Sequence, residues 1–588
     1  MFGGVSMTKL SAIPVAAACL ILAATTVLAS GDANVTNGSP PSPFSENKQN
    51  EPTITHDASH PSILVAGSND EIDEEACNAG NDTRCPFTPG IGVSGVYFSF
   101  NSGASWTQPT YTGLTARNCQ GVVGNSDPPC TPQPGPIGTL PGYFENGLVS
   151  DGDPAVAFGP KPGSNGFSWS NGSRLYYANL TSNLPTSNGE TAFNGFEAIA
   201  VSRTDNVQAA AAGVNDAWKT PVLVSHQNNT TFSDKEQIWA DNASSSPFFG
   251  NVYVCWADFQ GQEKSAHASP AQLKVGVSTD GGDTWSIHPI GAAANNAQRN
   301  PLDGCTVRTA SDGTAYVFGI GTVSSAGHDS FELMSTSTNG GGTWSSPTPV
   351  AGPVTQPGIF DPVLGRPTID GIAGARSDLA PAPSVDIANG APTGVGASNR
   401  IVMSYVSGSI NQQHVFFTES TNGGNTWTTP RPVETGKDLH PAQGDYGYYT
   451  APAISPDGSS VYVVYNAFTT PYRTNTTDPR ALVGVFLKAS VGTSGTGAFA
   501  EIHRGTPGDP RGSSQNNLVG EFLGDYVYAT ATNTYGAAVW NDARNAADCP
   551  AIDAWRMSLR NAPLTVARPA PQQDCPATFG NSDIYGTA

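Results

Sequence analysis

The chain has 588 residues, 66 glycines, 47 prolines and a formal charge of −21, with only 13% of residues charged. That length can hold a large core, and breakers dispersed through it predict a turn-rich all-β chain and exclude a helical one. So acidic a surface repels nucleic acid and anionic membranes and excludes both as partners, while a local arginine cluster would still admit an anionic substrate.

At the N-terminus, Lys9 precedes an apolar run from Leu10 to Leu28 that ends in the small-residue region Val27, Leu28, Ala29 and Ser30. This predicts a signal peptide over residues 1–30, with an uncleaved anchor as the competing reading of the same run. The following GDANVTNGSPPSP predicts a flexible polar linker over 31–50. The mature protein is then expected to be secreted, free of the membrane and monomeric. Cleavage removes Cys19 and leaves eight cysteines, an even number in an oxidising compartment. Local spacing favours Cys77 with Cys85, Cys119 with Cys130, and Cys549 with Cys575. Cys255 and Cys305 fall on strands of consecutive repeats and either bridge adjacent sheets or stay a buried free pair. None shows the paired CxxC spacing of a zinc site.

From Glu51 onward a loose pattern recurs, in which a polar residue leads into an alternating strand, a turn, and a second strand rich in Val and Tyr. Its seven starts are Glu51, Asp153, Gln237, Asp303, Arg366, Asp445 and Asp525. Repeats of this size, each with room for four short strands, predict a single β-propeller over 51–588, with seven blades and six as the alternative. Unequal intervals mark insertions, among them a Pro- and Gly-rich loop over 107–150 and an opened turn after AIAVSRTD that ends at Trp218.

A second, sharper repeat lies inside the first: SFNSGASW from Ser99, STDGGDTW from Ser278, STNGGGTW from Ser337 and STNGGNTW from Ser420. Each follows one alternating apolar run and precedes a polar one, as a hairpin turn does. The Asp or Asn can accept backbone N–H groups, the glycines supply positive φ, and the Trp packs between sheets. These residues read as turn staples without catalytic work. The box resembles the Asp-box of the sialidase-like β-propeller family, which holds sialidases, other glycosidases and non-catalytic members, so the resemblance implies a fold more firmly than an activity. Sialidases of that family are typically six-bladed.

First strands of propeller blades line a central channel, so the seven starts are expected to converge there and build a ligand site. Within it, the two GDY sequences suggest Asp445 with Tyr446 and Asp525 with Tyr526 as acid/base pairs, with Glu521 as the base that activates Tyr526. A bend at Gly524 is needed, because Glu521 and Tyr526 face opposite sides of a regular strand. Glu51, Asp153, Asp303, Arg308, Arg366 and Arg544 are the expected substrate contacts, with Arg473 and Arg511 on further loops. The family resemblance implies a tyrosine nucleophile and a three-arginine carboxylate clamp. Its arginine-isoleucine-proline motif is missing, with Glu51-Pro-Thr-Ile in that place. The run Asp70, Glu71, Asp73, Glu74, Glu75 and Asp82 reads as a solvated acidic loop that could hold a structural calcium, although its spacing fits no EF-hand. No other cofactor is expected. The function expected from this reading is an exo-glycosidase of extracellular glycans, with a non-catalytic propeller binding glycan or protein through its channel face as the alternative.

Overall fold

Among the described residues, period-two alternation of Val, Tyr, Phe and Ala builds seven antiparallel blade sheets, each packed against its neighbours, and two two-stranded hairpins lie beside them. The computed structural model describes residues 1–4, 31–77, 85, 87–121, 130–185, 189–225, 228, 231–260, 269–291, 302–323, 329–434, 444–561, 564 and 566–588. The segment 1–30 read as a signal peptide lies outside them, apart from its first four residues.

The innermost strands of blades one to seven are Gln49–Asp57, Ala155–Gly163, Thr231–Ala240, Leu302–Thr309, Ser384–Ile387, Tyr446–Ile454 and Tyr528–Ala531. Each touches the next, and the seventh touches the first, so the ring is closed. Six of the seven starts expected from sequence lie on or within three residues of these strands. The fifth does not. Arg366 begins one arm of a two-stranded hairpin, Ile359–Asp361 with Arg366–Thr368, inserted ahead of the true inner strand at Ser384. The hairpin's own strand-like residues imitate a blade start, which is why the pattern misplaces it.

The polar stretch 31–50 is not a flexible linker. Ala33–Asn34 pairs with Asp583–Thr587 as the outermost strand of blade seven, Ala33 opposite Gly586, and residues 44–50 are buried. Backbone pairing needs no apolar sequence, so composition alone misreads this segment. All four disulfides form, and Cys255–Cys305 joins blade three to blade four.

The recurring turn has one geometry in blades one, three, four and five. In the blade-three copy, Ser278 Oγ donates to Asp280 Oδ1 at 2.8 Å and accepts Gly282 N–H, also at 2.8 Å. Asp280 in turn accepts the N–H groups of Asp283 and Thr284 and the Thr284 hydroxyl. Gly282 has φ +88°, and a Cβ there would meet the Arg203 side chain of blade two at 2.9 Å, so the turn also sets how closely blades approach. In blade two the turn is opened by the helix Val207–Ala211, capped by Asn206, before the chain returns at Trp218.

Candidate functional site

Three successive blades begin with the same backbone device. Glu51, Asp153 and Lys235 have φ of +56°, +49° and +63°, a left-handed conformation rare for residues with a side chain. Gly304 repeats it in blade four at +53°. The ladders slip beside three of these positions, between Asn50 and Thr53, Asp234 and Gln237, and Asp303 and Thr306. Such bulges re-aim side chains that a regular strand would direct into a blade interface, and the left-handed backbone costs about 1–3 kcal/mol at each residue with a side chain but not at Gly304.

The groups gathered this way form one ion-pair network across the hub. Lys235 Nζ lies 2.8 Å from Asp525 Oδ2, 3.1 Å from Asp153 Oδ2 and 3.4 Å from Asp234 Oδ1. Arg376 forks onto Asp525, Nε to Oδ1 at 3.0 Å and Nη2 to Oδ2 at 2.6 Å, and the same Nη2 reaches Glu51 Oε1 at 3.1 Å. Asn69 donates to Glu51 Oε2 at 3.0 Å and accepts Asp153 N–H at 2.7 Å. Tyr449 Oη donates to Asp525 Oδ1 at 3.0 Å, and Tyr526 Oη to Asp153 Oδ2 at 3.5 Å.

Burial and pairing drive these carboxyls apart. Burial by itself would raise Asp525, but Arg376 and Lys235 hold it well below the usual carboxylate range. Glu51 is pushed well up by burial and by the charges of Asp153 and Asp525. Burial lifts Asp303 to about 7, against a hydrogen bond from Gly304 N–H and the pull of Lys235. Tyr526 is held well above the usual phenol value by burial and by Asp153, Asp525 and Glu51, so it stays a neutral donor.

Above the network opens a cavity of about 1130 Å³, slightly larger than the usual range for small-molecule sites. Asp153, Asp234, Lys235, Asp303, Arg376 and Asp525 border it, together with Phe87, Phe196, Phe232, Phe259 and Phe522. The channel below is far tighter. There Arg308 pairs with Asp386 at 3.4 Å over the Trp239 ring, and Gln237 donates to Tyr528 Oη at 2.6 Å.

The sequence-predicted residues therefore divide. Glu51, Asp153, Asp303, Asp525 and Tyr526 meet at the hub. Arg366 borders the cavity from its inserted hairpin and pairs with Asp378 at 3.1 Å. Arg308 lies in the channel below. Asp445 is drawn into blade six by Arg504, at 3.0 and 2.8 Å, and by Tyr465 Oη; Tyr446 is packed into the core beside it. Glu521 is buried 3.8 Å from Arg480, which also pairs with Asp370. The bend at Gly524 exists, φ +80°, but it lays that glycine against Glu51. Glu521 is no base for Tyr526, because Arg480 and Asp370 surround its carboxyl. Arg544 does not reach the cavity face either: it pairs with Asp542 and Asp32 and covers Tyr585. Arg511 is held by Asp509 and Asp553, and Arg473 N–H by Asp370 O.

The acidic run is not a solvated loop. Asp70 accepts from Tyr97, Gln49 and Gln108, and Asp73 from Thr139, Gly138 N–H and Arg117. Protein donors thus replace water, while Asp82 lies outside the described residues. Among the described residues no three His, Cys, Asp or Glu side chains are grouped to hold a metal ion.

Sequence reading missed Lys235 and Arg376. Lys235 stands in the charged run Ser-Asp-Lys-Glu-Gln inside an otherwise alternating strand, a mismatch that signals the bulge. Arg376 follows an irregular Gly-rich loop, and no pattern marks it.

A scan against protein-family models gives no match, and a search of curated proteins gives none. Among solved structures the chain is similar to propellers described as sialidases. For the Hadza microbial sialidase Hz136 the identity is 13% and the TM-score 0.38, over 71% of this chain and 63% of that one. For Trypanosoma rangeli sialidase in complex with the inhibitor DANA the values are 12% and 0.38, over 78% and 57%. For the NanB sialidase of Streptococcus pneumoniae they are 10% and 0.39, over 73% and 66%. The chain thus spans less than two thirds of the length of several of these sialidases.

Proposed function

We propose that the chain is a secreted, sialidase-like exo-glycosidase that removes terminal sugars from extracellular glycans in the hub cavity. The observation that carries this is the pair of carboxyls on the cavity floor with opposed protonation. Asp303 titrates near neutrality, at about 7, and Asp525 is held ionised by Arg376 and Lys235. Glycoside cleavage asks for such a pair, one group to protonate the leaving oxygen and one anion facing the positive charge that develops on the sugar ring. Tyr526 and Asp153 would orient a hydroxyl of the substrate. Four disulfides, and no helix among the described residues long and apolar enough to cross a membrane, support an extracellular setting.

A second reading is a non-catalytic propeller that binds glycan or protein through this face. It is favoured by the raised phenol of Tyr526, which disfavours a tyrosine nucleophile. Release of 4-methylumbelliferone from a panel of glycosides, sialoside included, separates the two. No turnover by the purified protein anywhere on the panel would exclude the hydrolase and leave the binder.

A further inference from the structure

Lys48, Glu71 and Asn516 come from three separate segments and close a triangle of contacts. Lys48 stands just ahead of the inner strand of blade one, and Glu71 opens the one-turn helix Glu71–Asp73 after the second strand, His60–Asp70. Asn516 lies in the loop between Ala500–Arg504 of blade six and the inner strand of blade seven. The three are 3%, 3% and 8% exposed, and Lys48 is the most buried lysine among the described residues. Its Nζ lies 2.7 Å from Glu71 Oε1 and donates to Asn516 Oδ1, while Asn516 Nδ2 donates to Glu71 Oε2 at 2.9 Å. The amide can face only this way, since an ammonium offers donors alone and a carboxylate acceptors alone.

The surroundings hold these groups in register. The rings of Phe522 and Phe87 lie 5.4 and 5.7 Å from Nζ. Glu71 N–H donates to Lys48 O at 3.1 Å, and Cys85 N–H to Asn516 O at 3.2 Å, with Cys85 itself tied to Cys77. A buried ion pair needs only one partner for each charge. Here the carboxylate also grips the nitrogen of the amide whose oxygen receives Nζ, so a nucleophile, an electrophile and a proton carrier meet in one desolvated place.

The geometry points to an intramolecular isopeptide bond between Lys48 Nζ and Asn516 Cγ, formed with Glu71 as the catalytic proton carrier. Glu71 takes a proton from the Lys48 ammonium, which removes two buried charges at once. The freed amine electron pair attacks Cγ, the Nζ–Cγ bond forms, and the carbonyl electrons move onto Oδ1. Glu71 passes its proton to Nδ2 and accepts a second one from Nζ. As the Oδ1 electrons return, the Cγ–Nδ2 bond breaks and ammonia leaves, taking the second proton from Glu71 as ammonium. Nothing is oxidised or reduced, and no co-reactant is consumed. Contact held by the fold replaces the encounter that the same reaction would need in solution. All three residues border the hub cavity, which gives the ammonium its exit. The bond joins positions 468 residues apart and locks blade one to the loop entering blade seven, so the ring gains a covalent closure.

The test is peptide mapping by mass spectrometry on the purified full chain, denatured and with its disulfides reduced. The expected product is a branched peptide carrying both Lys48 and Asn516, lighter by one ammonia than the two segments together, with trypsin no longer cutting after Lys48. Glu71→Gln and Lys48→Arg should each yield the two segments as separate peptides at their sequence masses. Lys48→Arg keeps the buried positive charge, so loss of the link there reports the chemistry and not the fold, and the wild-type map decides the matter without either variant. Separate Lys48 and Asn516 peptides from the wild type, an ammonia loss confined to a linear peptide, or a link that persists at wild-type yield in Glu71→Gln overturns the proposal. The readout is a mass, so glycoside turnover has no bearing on it.

Discussion

Arg376 grips both carboxylate oxygens of Asp525, at 3.0 and 2.6 Å, and so ties the loop that precedes the inner strand of blade five to the start of blade seven across the hub. A bidentate pair this deeply buried is strong when whole and costly when halved, because removal of one partner leaves the other charge unpaired.

Asp525→Asn is therefore expected to lower stability by about 3–5 kcal/mol at neutral pH, read by urea unfolding. The pH dependence has a definite sign. Asp525 is depressed in the folded chain, so its contribution is present above the unfolded carboxylate value of about 4 and is lost as pH falls through the folded value. The gap between variant and wild type should narrow below about pH 4. Glu51 is raised, so its contribution has the opposite sense, fading as pH rises. A gap that stays constant down to strongly acid pH would show that Asp525 is not held ionised by this pair.

On the hydrolase reading, Asp303→Asn removes the proton donor. Its kcat/KM is expected to fall about 10²–10⁴-fold on the best substrate of the panel. Wild-type activity should decline as pH rises through about 7, where Asp303 loses its proton, and that limb should vanish in the variant. Full activity in the Asp303→Asn enzyme, or an unchanged alkaline limb, would return Asp303 to a binding role.

The bridge between blades three and four closes a 50-residue separation. In the chain-entropy account, replacing Cys255 and Cys305 together by alanine costs about 4 kcal/mol. Thermal unfolding of the double variant should begin well below that of the wild type. An unchanged midpoint would mean that the packed inner strands hold these blades without the covalent link.

Asp280 accepts four hydrogen bonds inside its turn, so Asp280→Ala is expected to cost about 1–2 kcal/mol by analogy with lost helix caps. Its effect should be on stability alone, with glycoside turnover per folded molecule unchanged. Loss of turnover at full stability would contradict the staple role of the box.

The repeats, the blade count and the turn boxes were legible because each rests on local chemistry: alternation, Gly at positive φ, an Asx side chain folding back on its own backbone. Glu51, Asp153, Asp303 and Asp525 were legible because they open those repeats. What escaped depends on long-range choices. Arg366 mimics a strand start inside an inserted hairpin, and Asp445 has the same GDY setting as Asp525 but meets Arg504 within its own blade. Lys235 and Arg376 reach the hub through a bulge and an irregular loop, whose geometry the alternation pattern does not encode. The pairing of Ala33 with Gly586 has no local signature at all.

That last pairing has a temporal meaning. The edge of blade seven finds its outermost neighbour in a segment synthesised more than 500 residues earlier, so a nascent chain emerging from the ribosome holds an unsealed circle until its final strands arrive. Long-range pairing of this kind is slow and leaves sheet edges open meanwhile. An affinity tag or fusion placed beside Thr587 would press on the seam itself, whereas one on a blade's outer turn would leave the latch alone.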